Sequence, residues 1–294
     1  MEQASRLLFR IRRDAGFDRR DACSTRLVFK HQSSIGNRKF RRAFTLVEML
    51  VVISILGILA ALTVPALKNL GKSNSAISAS RQLLQAVGRA RQLAIANHTT
   101  VFMVFVPANF WNSGTNMTPA QLSALINLCD KQLSGYTFIA YGAVGDQPGR
   151  HAWHYLEPWQ ALPDRSFIAS WKFISPAQSS TVPAFDSTVP IYGFMTNAVP
   201  FPTVDAPLAV LPCIAFNYLG QLTTDGQNPA SQHEYIPLAR GSVAPAMDPS
   251  TKAFQFNPPS VSETPAGNST NSAFNLVDID PLTGRATLKF QKAQ

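Results

Sequence analysis

The 294-residue chain is 46% hydrophobic and 15% charged, so it can bury a substantial core as one globular domain with additional segments. Its net charge of +9 is concentrated at one end, because residues 1–43 hold 12 of the 26 Lys and Arg side chains and 4 of the 17 acidic ones. The remaining residues hold 14 basic and 13 acidic side chains, which is not the basic folded surface of a nucleic-acid-binding domain, and no nucleic acid partner is expected.

A long apolar run follows the basic cluster of residues 38–42. Residues 44–66 contain a single charged side chain, Glu48. A helix of about 20 residues, rising about 1.5 Å per residue, spans a bilayer core of about 30 Å, so the run predicts a transmembrane helix. The basic cluster predicts a cytoplasmic N-terminus, with the rest of the chain on the far side of the membrane.

Glu48 separates two interpretations of this run. An ordinary secretory signal peptide, cut after Ala60 or Ala61, would also be basic and then apolar. An acid within a membrane helix is costly, however, and is by default functional and paired. The run contains no Lys or Arg, and a cut four residues before Glu48 would create an α-amino group as its partner.

The residues around this acid resemble the start of type IV prepilins and type II secretion pseudopilins. The resemblance rests on Ala43 followed by Phe44-Thr45-Leu46-Val47-Glu48, and on Gly57 and Pro65 within the apolar helix. It implies that a prepilin peptidase removes residues 1–43 by cutting between Ala43 and Phe44, and that Phe44 is N-methylated. It also implies that Glu48 takes part in subunit assembly. The family usually has Gly where this chain has Ala43, and usually has a shorter leader.

The chain after the apolar run predicts a stalk and then a head. Pro65 removes a backbone hydrogen bond and predicts a helix kink. Residues 67–100 have amphipathic spacing, which predicts either one long, partly broken helix over about 45–97 or two unrelated helices. Residues 101–294 predict a globular β-rich head. The predicted fold is therefore α+β and pilin-like, a long N-terminal helix packed on an antiparallel β-sheet.

Within the head, residues 101–106 predict a buried strand, and Thr118-Pro119 predicts the start of a short helix. A hairpin turn is predicted over 280–284, with Gly284 at positive φ. Residues near 244–272 predict a surface loop. Further strands are predicted at 136–141, 166–174, 191–195, 213–219, 234–238, 274–279 and 285–290.

Cys129 and Cys213 lie in the head. In an oxidising compartment they could form one disulfide, while two separate buried thiols explain them equally well.

Other polar and aromatic clusters carry weaker signals. His151 and His154 beside Glu157 could suggest a metal site, and Asp278 with Asp280 could suggest calcium, but strand ends and turns account for them as well. The tryptophans at 153, 159 and 171 could line a glycan groove or fill the core. With no catalytic or nucleotide motif in the head, the sequence predicts no enzyme activity, no cofactor and no metal.

Taken together, these features predict a structural subunit, a minor pilin or pseudopilin, of a type IV pilus or type II secretion-like filament. The chain would cross the inner membrane once, with its head in the periplasm. The resemblance implies four kinds of partner: prepilin peptidase, other pilin or pseudopilin subunits, an inner-membrane assembly platform and membrane lipid. The alternative is a membrane-anchored envelope enzyme or ligand-binding protein that uses a prepilin-like anchor.

Overall fold

The computed structural model describes residues 45–113, 117–143, 145–146, 151–181, 190–270 and 275–290, without the side chains at 62, 64–74, 113, 180, 181 and 290. The predicted cleavage site, Ala43 and Phe44, lies outside the described residues. The predicted kink at Pro65 falls where side chains are not described, and stays a prediction. The chain divides into two compact units, Met1–Ile55 and Leu56–Gln294.

One long helix, α1 (Leu46–Asn97), begins in the first unit and ends in the second. Thr45 caps its start, because the main-chain N–H of Glu48 donates to Oγ1 of Thr45 at 3.2 Å. Threonine followed three residues later by glutamate is a sequence signature of a helix N-terminus. Large apolar side chains at positions 46–59 are exposed, including Leu46 at 81% and Ile53 at 65%. Among the described residues, no helix has an apolar stretch long enough to cross a membrane.

The last part of α1 buries one stripe of mostly small side chains in the second unit. The stripe includes Ala79, Leu83, Val87, Ala90 and Ala94, all completely buried. Their spacing of three or four residues places them on one face of the helix. Small side chains allow the helix backbone to approach the strands that it covers.

The rest of the second unit is built from short strands and one further helix, α2 (Pro119–Ile126). Short 3-10 turns occupy Phe110–Ser113, Cys129–Lys131 and Ser170–Phe173. The strands are β1 (Val101–Phe105), β2 (Gly135–Tyr141), β3 (Trp153–Tyr155), β4 (Gln160–Ala161), β5 (Ser166–Ile168), β6 (Ser179–Thr181), β7 (Pro190–Tyr192), β8 (Met195–Pro200), β9 (Leu208–Phe216), β10 (Leu222–Thr223), β11 (Glu234–Ala244), β12 (Ser260–Glu263), β13 (Asn275–Ile279) and β14 (Ala286–Phe290).

These strands pair antiparallel in separate sheets. Over the described ranges, the largest sheet has the order β10-β9-β1-β2-β3, with β4 also paired to β2 and β8 to β9. A second sheet has the order β12-β11-β13-β14, with β5 also paired to β11, and β6 pairs with β7. The structure is therefore α+β with antiparallel sheets, as predicted.

Two clusters of apolar side chains cover the two faces of the largest sheet. Alternate residues of β1 point to opposite faces, so Met103 and Phe105 join the cluster that contains the buried stripe of α1. The second sheet contributes to the same cluster through β11 and β13. Val104 points the other way and packs with Leu125 of α2 and with Leu211 of β9. The face opposite α1 is thus partly covered by α2.

Several local predictions are confirmed. The strand at 101–106 is β1, and α2 begins after Thr118, whose hydroxyl accepts the N–H of Gln121 while the Gln121 side chain accepts the N–H of Thr118. The hairpin joining β13 and β14 turns over 280–284, with Gly284 at φ 62°.

Other predicted elements are corrected by the structure. The strand predicted at 166–174 ends at Ile168 and gives way to a 3-10 turn, which carries Lys172 inward to Glu234. The strand predicted at 191–195 is broken at Gly193, where a Cβ atom would lie 2.3 Å from the carbonyl oxygen of Ile174. The loop predicted near 244–272 contains β12, because β11 continues to Ala244 and pairs with it.

Candidate functional site

The carboxylate of Glu48 lies on the first turn of α1 among exposed apolar side chains. Val51 and Val52, one turn further along the same face, are both exposed. Glu48 forms no ion pair with any residue that the structure describes. Its position at the third residue of the helix places it close to the chain end that cleavage before Phe44 would create.

The hydroxyl groups in the same run are satisfied within the helix. Ser54 donates to the carbonyl oxygen of Val51 at 2.8 Å, and Thr63 donates to that of Leu59 at 3.0 Å. Such bonds to the preceding turn hide a hydroxyl from an apolar surrounding. Glu48 is therefore the side chain of this run that still requires a polar partner. This acid was predicted from the sequence, whereas the capping role of Thr45, which the Thr-x-x-Glu spacing signals, was not.

Cys129 and Cys213 are free thiols in the structure, and both are buried in the cluster opposite α1. The disulfide is therefore not formed there, and the alternative of two separate buried thiols describes the arrangement. Burial raises the pKa of Cys129 and raises the pKa of Cys213 to about 12. Both sulfur atoms are held as protonated thiols of low nucleophilicity.

The residues suggested for a metal site do not converge. His154 lies 3.2 Å from Asp146, whereas Glu157 pairs with Arg89 at 2.7 Å. Across the described ranges, no three His, Cys, Asp or Glu side chains are grouped closely enough to hold a metal ion.

The suggested calcium residues are engaged elsewhere. Asp278 contacts Nδ1 of His233 at 2.7 Å, and Asp280 accepts the N–H of Thr283 at 2.7 Å within the hairpin turn. The hydrogen bonds from Thr283 lower the pKa of Asp280 below its ordinary value.

A buried ion pair between Lys172 and Glu234 was not predicted from the sequence. The Lys172 side chain is 1% exposed, contacts the Glu234 carboxylate, and donates to the carbonyl oxygen of Tyr192 at 2.6 Å. Its ammonium also lies 4.7 Å from the centre of the Phe194 ring. Burial raises the pKa of Glu234 although Lys172 opposes the change. No local pattern signals such a pair, because the two residues belong to different elements.

The three tryptophans lie in different surroundings and do not form one row. Trp159 donates its indole N–H to the carbonyl oxygen of Pro202 at 3.1 Å, and Trp171 donates to Ser269 at 3.3 Å. Trp153 stands on β3 against Tyr141, with ring centres 4.8 Å apart. Trp159 and Trp171 are thus anchored in the packing of the head, and Trp153 lies beside an exposed tyrosine.

Comparison with known proteins supports the prediction of a prepilin-type signal in the N-terminal segment. Residues 38–64 match the family model described as the prokaryotic N-terminal methylation motif. The chain therefore carries the prepilin-type cleavage and methylation signal of type IV pilins and pseudopilins. No curated protein and no solved structure matches the chain significantly.

Proposed function

We propose that this protein is a filament subunit, a minor pilin or pseudopilin, of a type IV pilus or a type II secretion-like machine. The observation that carries the proposal is the methylation motif at 38–64, which includes the first part of α1, where large apolar side chains at positions 46–59 are exposed on all sides. A helix that is apolar all round requires lipid or other helices around it. The motif itself implies processing by a prepilin peptidase and assembly with other pilins.

The proposed pathway has two stages. The helix first anchors the chain in the inner membrane, with the N-terminus in the cytoplasm and the head in the periplasm. After cleavage, Glu48 attracts the methylated amine of Phe44 on a neighbouring subunit, since opposite charges attract strongly where the dielectric constant is low. The assembly platform then extracts the subunit, and the apolar helices pack together in the filament.

The proposed role of the head is structural, as a pilin-like domain, and not enzymatic. The packing of the last part of α1 on an antiparallel sheet supports a pilin-like head. Its two thiols are buried and protonated, and its histidines at 154 and 233 contact aspartates. These contacts favour a stable building block over a nucleophilic centre.

Intact-mass analysis of the mature protein tests this proposal. When the chain is expressed with a prepilin peptidase, we expect a product that begins at Phe44 and carries one added methyl group. Ala43→Gly should be processed at least as completely, whereas Ala43→Leu should remain uncut because a bulky side chain precedes the scissile bond. A mature N-terminus beyond Ala60 would instead identify an ordinary secretory signal peptide.

A further inference from the structure

A groove opens on the head where two strands share one edge of β9. β8 pairs with β9 up to Cys213, and β10 pairs with it from Ala215, so Ile214 lies at the gap between them. The groove has a volume of about 530 Å³ and includes Met195 and Thr224, on the two sides of this gap. This size is within the range of about 300–1,000 Å³ that is typical of small-molecule sites.

The floor of this groove contains aromatic rings held by their neighbours. Tyr141 is 46% exposed, and its ring centre lies 4.8 Å from that of Trp153 and 5.7 Å from that of His151. Trp153 packs in turn on Phe102, with ring centres 5.9 Å apart. A second lining residue, Tyr218, is 47% exposed. Rigid, exposed rings offer stacking surfaces at a low cost in conformational entropy.

The loop over 223–228 forms a wall of the groove and is fixed by its own hydrogen bonds. Asp225 Oδ1 accepts from the hydroxyl of Thr223 at 3.0 Å and from the N–H of Gln227 at 2.8 Å. Thr100, just after α1, donates to the carbonyl oxygen of Gly226 at 3.0 Å. The wall is therefore built before any ligand arrives.

Neutral polar groups complete the lining. Asn197 accepts the N–H of Ala198 through Oδ1, and its side-chain NH₂ donates to no residue in the described part of the chain. The side chains of Thr196 and Gln227 also line the groove and form no hydrogen bond within those residues. Amide and hydroxyl groups of this kind can both donate and accept.

The charge of the lining decides between ligand classes. Among the described residues, the lining contains no Lys or Arg; its histidines are His98 and His151, and its one carboxylate, Asp225, is engaged by its own loop. A nucleic acid strand would stack on the rings but would find no Lys or Arg for its phosphates among the described lining residues. An acidic glycan would meet the same difficulty, and a wholly apolar ligand would leave the amide groups without partners.

A neutral sugar chain satisfies each of these features. Its C–H faces can stack on Tyr141 and Tyr218, and its hydroxyl edges can exchange hydrogen bonds with Asn197 and Gln227. We propose that this groove is a binding site for an uncharged oligosaccharide. The site is independent of the filament role, since none of its lining residues lies in the apolar part of α1.

Titration of the full-length chain with defined oligosaccharides tests the site. The protein is kept in a zwitterionic detergent, because a detergent with a sugar headgroup would compete. The neutral probes are maltohexaose, cellohexaose and chitohexaose, and the charged probes are hexagalacturonate and single-stranded oligothymidylate. We expect saturation-transfer NMR and calorimetry to detect binding of at least one neutral probe and of neither charged probe.

Substitutions of Tyr141 test whether the oligosaccharide binds in this groove. Tyr141→Ala should weaken binding about tenfold or more, by analogy with the loss of one stacking ring. Tyr141→Phe keeps the ring and should bind within about twofold of the wild-type protein. Tyr192→Ala, at an exposed tyrosine outside the groove, is the matched control and should bind normally.

Three results would overturn the proposal: no binding of any neutral probe, wild-type binding by a folded Tyr141→Ala variant, or tighter binding of a charged probe. Normal incorporation of Tyr141→Ala into filaments would separate this site from the proposed subunit role.

Discussion

The two ends of α1 expose different surfaces although they belong to one helix. From Leu46 to Leu59 the large apolar side chains are exposed on every side of the helix. From Ala76 to Ala94 a narrow stripe is buried, and the side chains around it include Arg81 and Arg89. The first part has no polar face, and the second part has a clear one.

This difference shows that the size and spacing of the side chains determine what each part of α1 can pack against. A stripe of Ala and Val with one Leu fits closely against the strands of its own chain. A helix covered with Leu, Ile and Val on all sides cannot pack in this way, which supports the proposal of lipid or other helices as its partners. Helix propensity alone would not distinguish the two parts of α1.

Glu48→Gln tests what the exposed part of α1 is for and has the largest expected effect. Glutamine keeps the size of the side chain and can still follow a capping threonine, but it removes the charge. We expect normal processing and a loss of assembly of about tenfold or more, because the amine of a neighbouring Phe44 loses its counter-charge. Disulfide crosslinking of the processed chain through an introduced Ile53→Cys measures contact between helices. The background is low, because Cys129 and Cys213 are buried and Cys23 lies in the segment that processing would remove.

Thr45→Val is the matched control for this variant. It removes the hydroxyl that caps the helix, at a cost of about 1 kcal/mol, and leaves the charge in place. Crosslinking by Thr45→Val should therefore persist. Wild-type crosslinking by Glu48→Gln would show that the charge of Glu48 does not guide assembly, and loss of processing would move its role to recognition by the peptidase.

Paired leucine truncations test the contrast between the two parts directly. Leu83→Ala removes a fully buried side chain from the main core and should lower the free energy of unfolding by about 2–5 kcal/mol. Leu56→Ala, at an exposed position, should change it by less than about 0.5 kcal/mol. Chemical denaturation of the full chain, followed by circular dichroism, measures both. Equal losses would contradict the distinction between the two parts.

The sequence predicted those features that depend on neighbouring residues. The helix start at Thr118-Pro119, the buried strand at 101–106 and the turn over 280–284 each arise from a few consecutive positions. The end of α1 at Asn97 agrees with the predicted limit of the helix. The amphipathic spacing also predicts one apolar face of α1, made of Ile77, Leu83, Leu84, Val87, Ala90 and Ala94. This face is only partly confirmed, because Ile77 is exposed and Ala79, which the prediction omits, is buried.

The features that the sequence could not predict depend on distant pairing. β9 pairs with β1 along one edge, through Val101 and Phe216, and with β8 and β10 along the other edge, where the groove opens. Lys172, on a 3-10 turn, is buried where Glu234 on β11 and the carbonyl oxygen of Tyr192 meet its charge. Local patterns carry no information about which distant strands will meet, since that choice depends on packing across the whole domain.

The smallest expected effect is on the melting temperature of the head at acid pH, and it involves no residue of the exposed part of α1. The side-chain amide of Asn228, followed by the N–H groups of Gln227 and Asn228, lowers the pKa of Asp225 below its ordinary value of 3.8. A lowered folded-state pKa stabilises the head at pH values above 3.8, and this contribution is lost as the pH falls below 3.8 toward the folded-state value. Asp225→Ala removes the contribution at every pH, so its melting temperature should lie below that of the wild-type protein at neutral pH. This difference in melting temperature should narrow as the pH is lowered below 3.8.

Asp164→Ala, at an exposed aspartate with no hydrogen bond to the described residues, is the control for losing one surface carboxylate. Thermal denaturation from about pH 7 to about pH 2 measures all three proteins. A difference in melting temperature that stays constant, or that widens in acid, would show that the charge of Asp225 does not stabilise the loop that forms the wall of the groove.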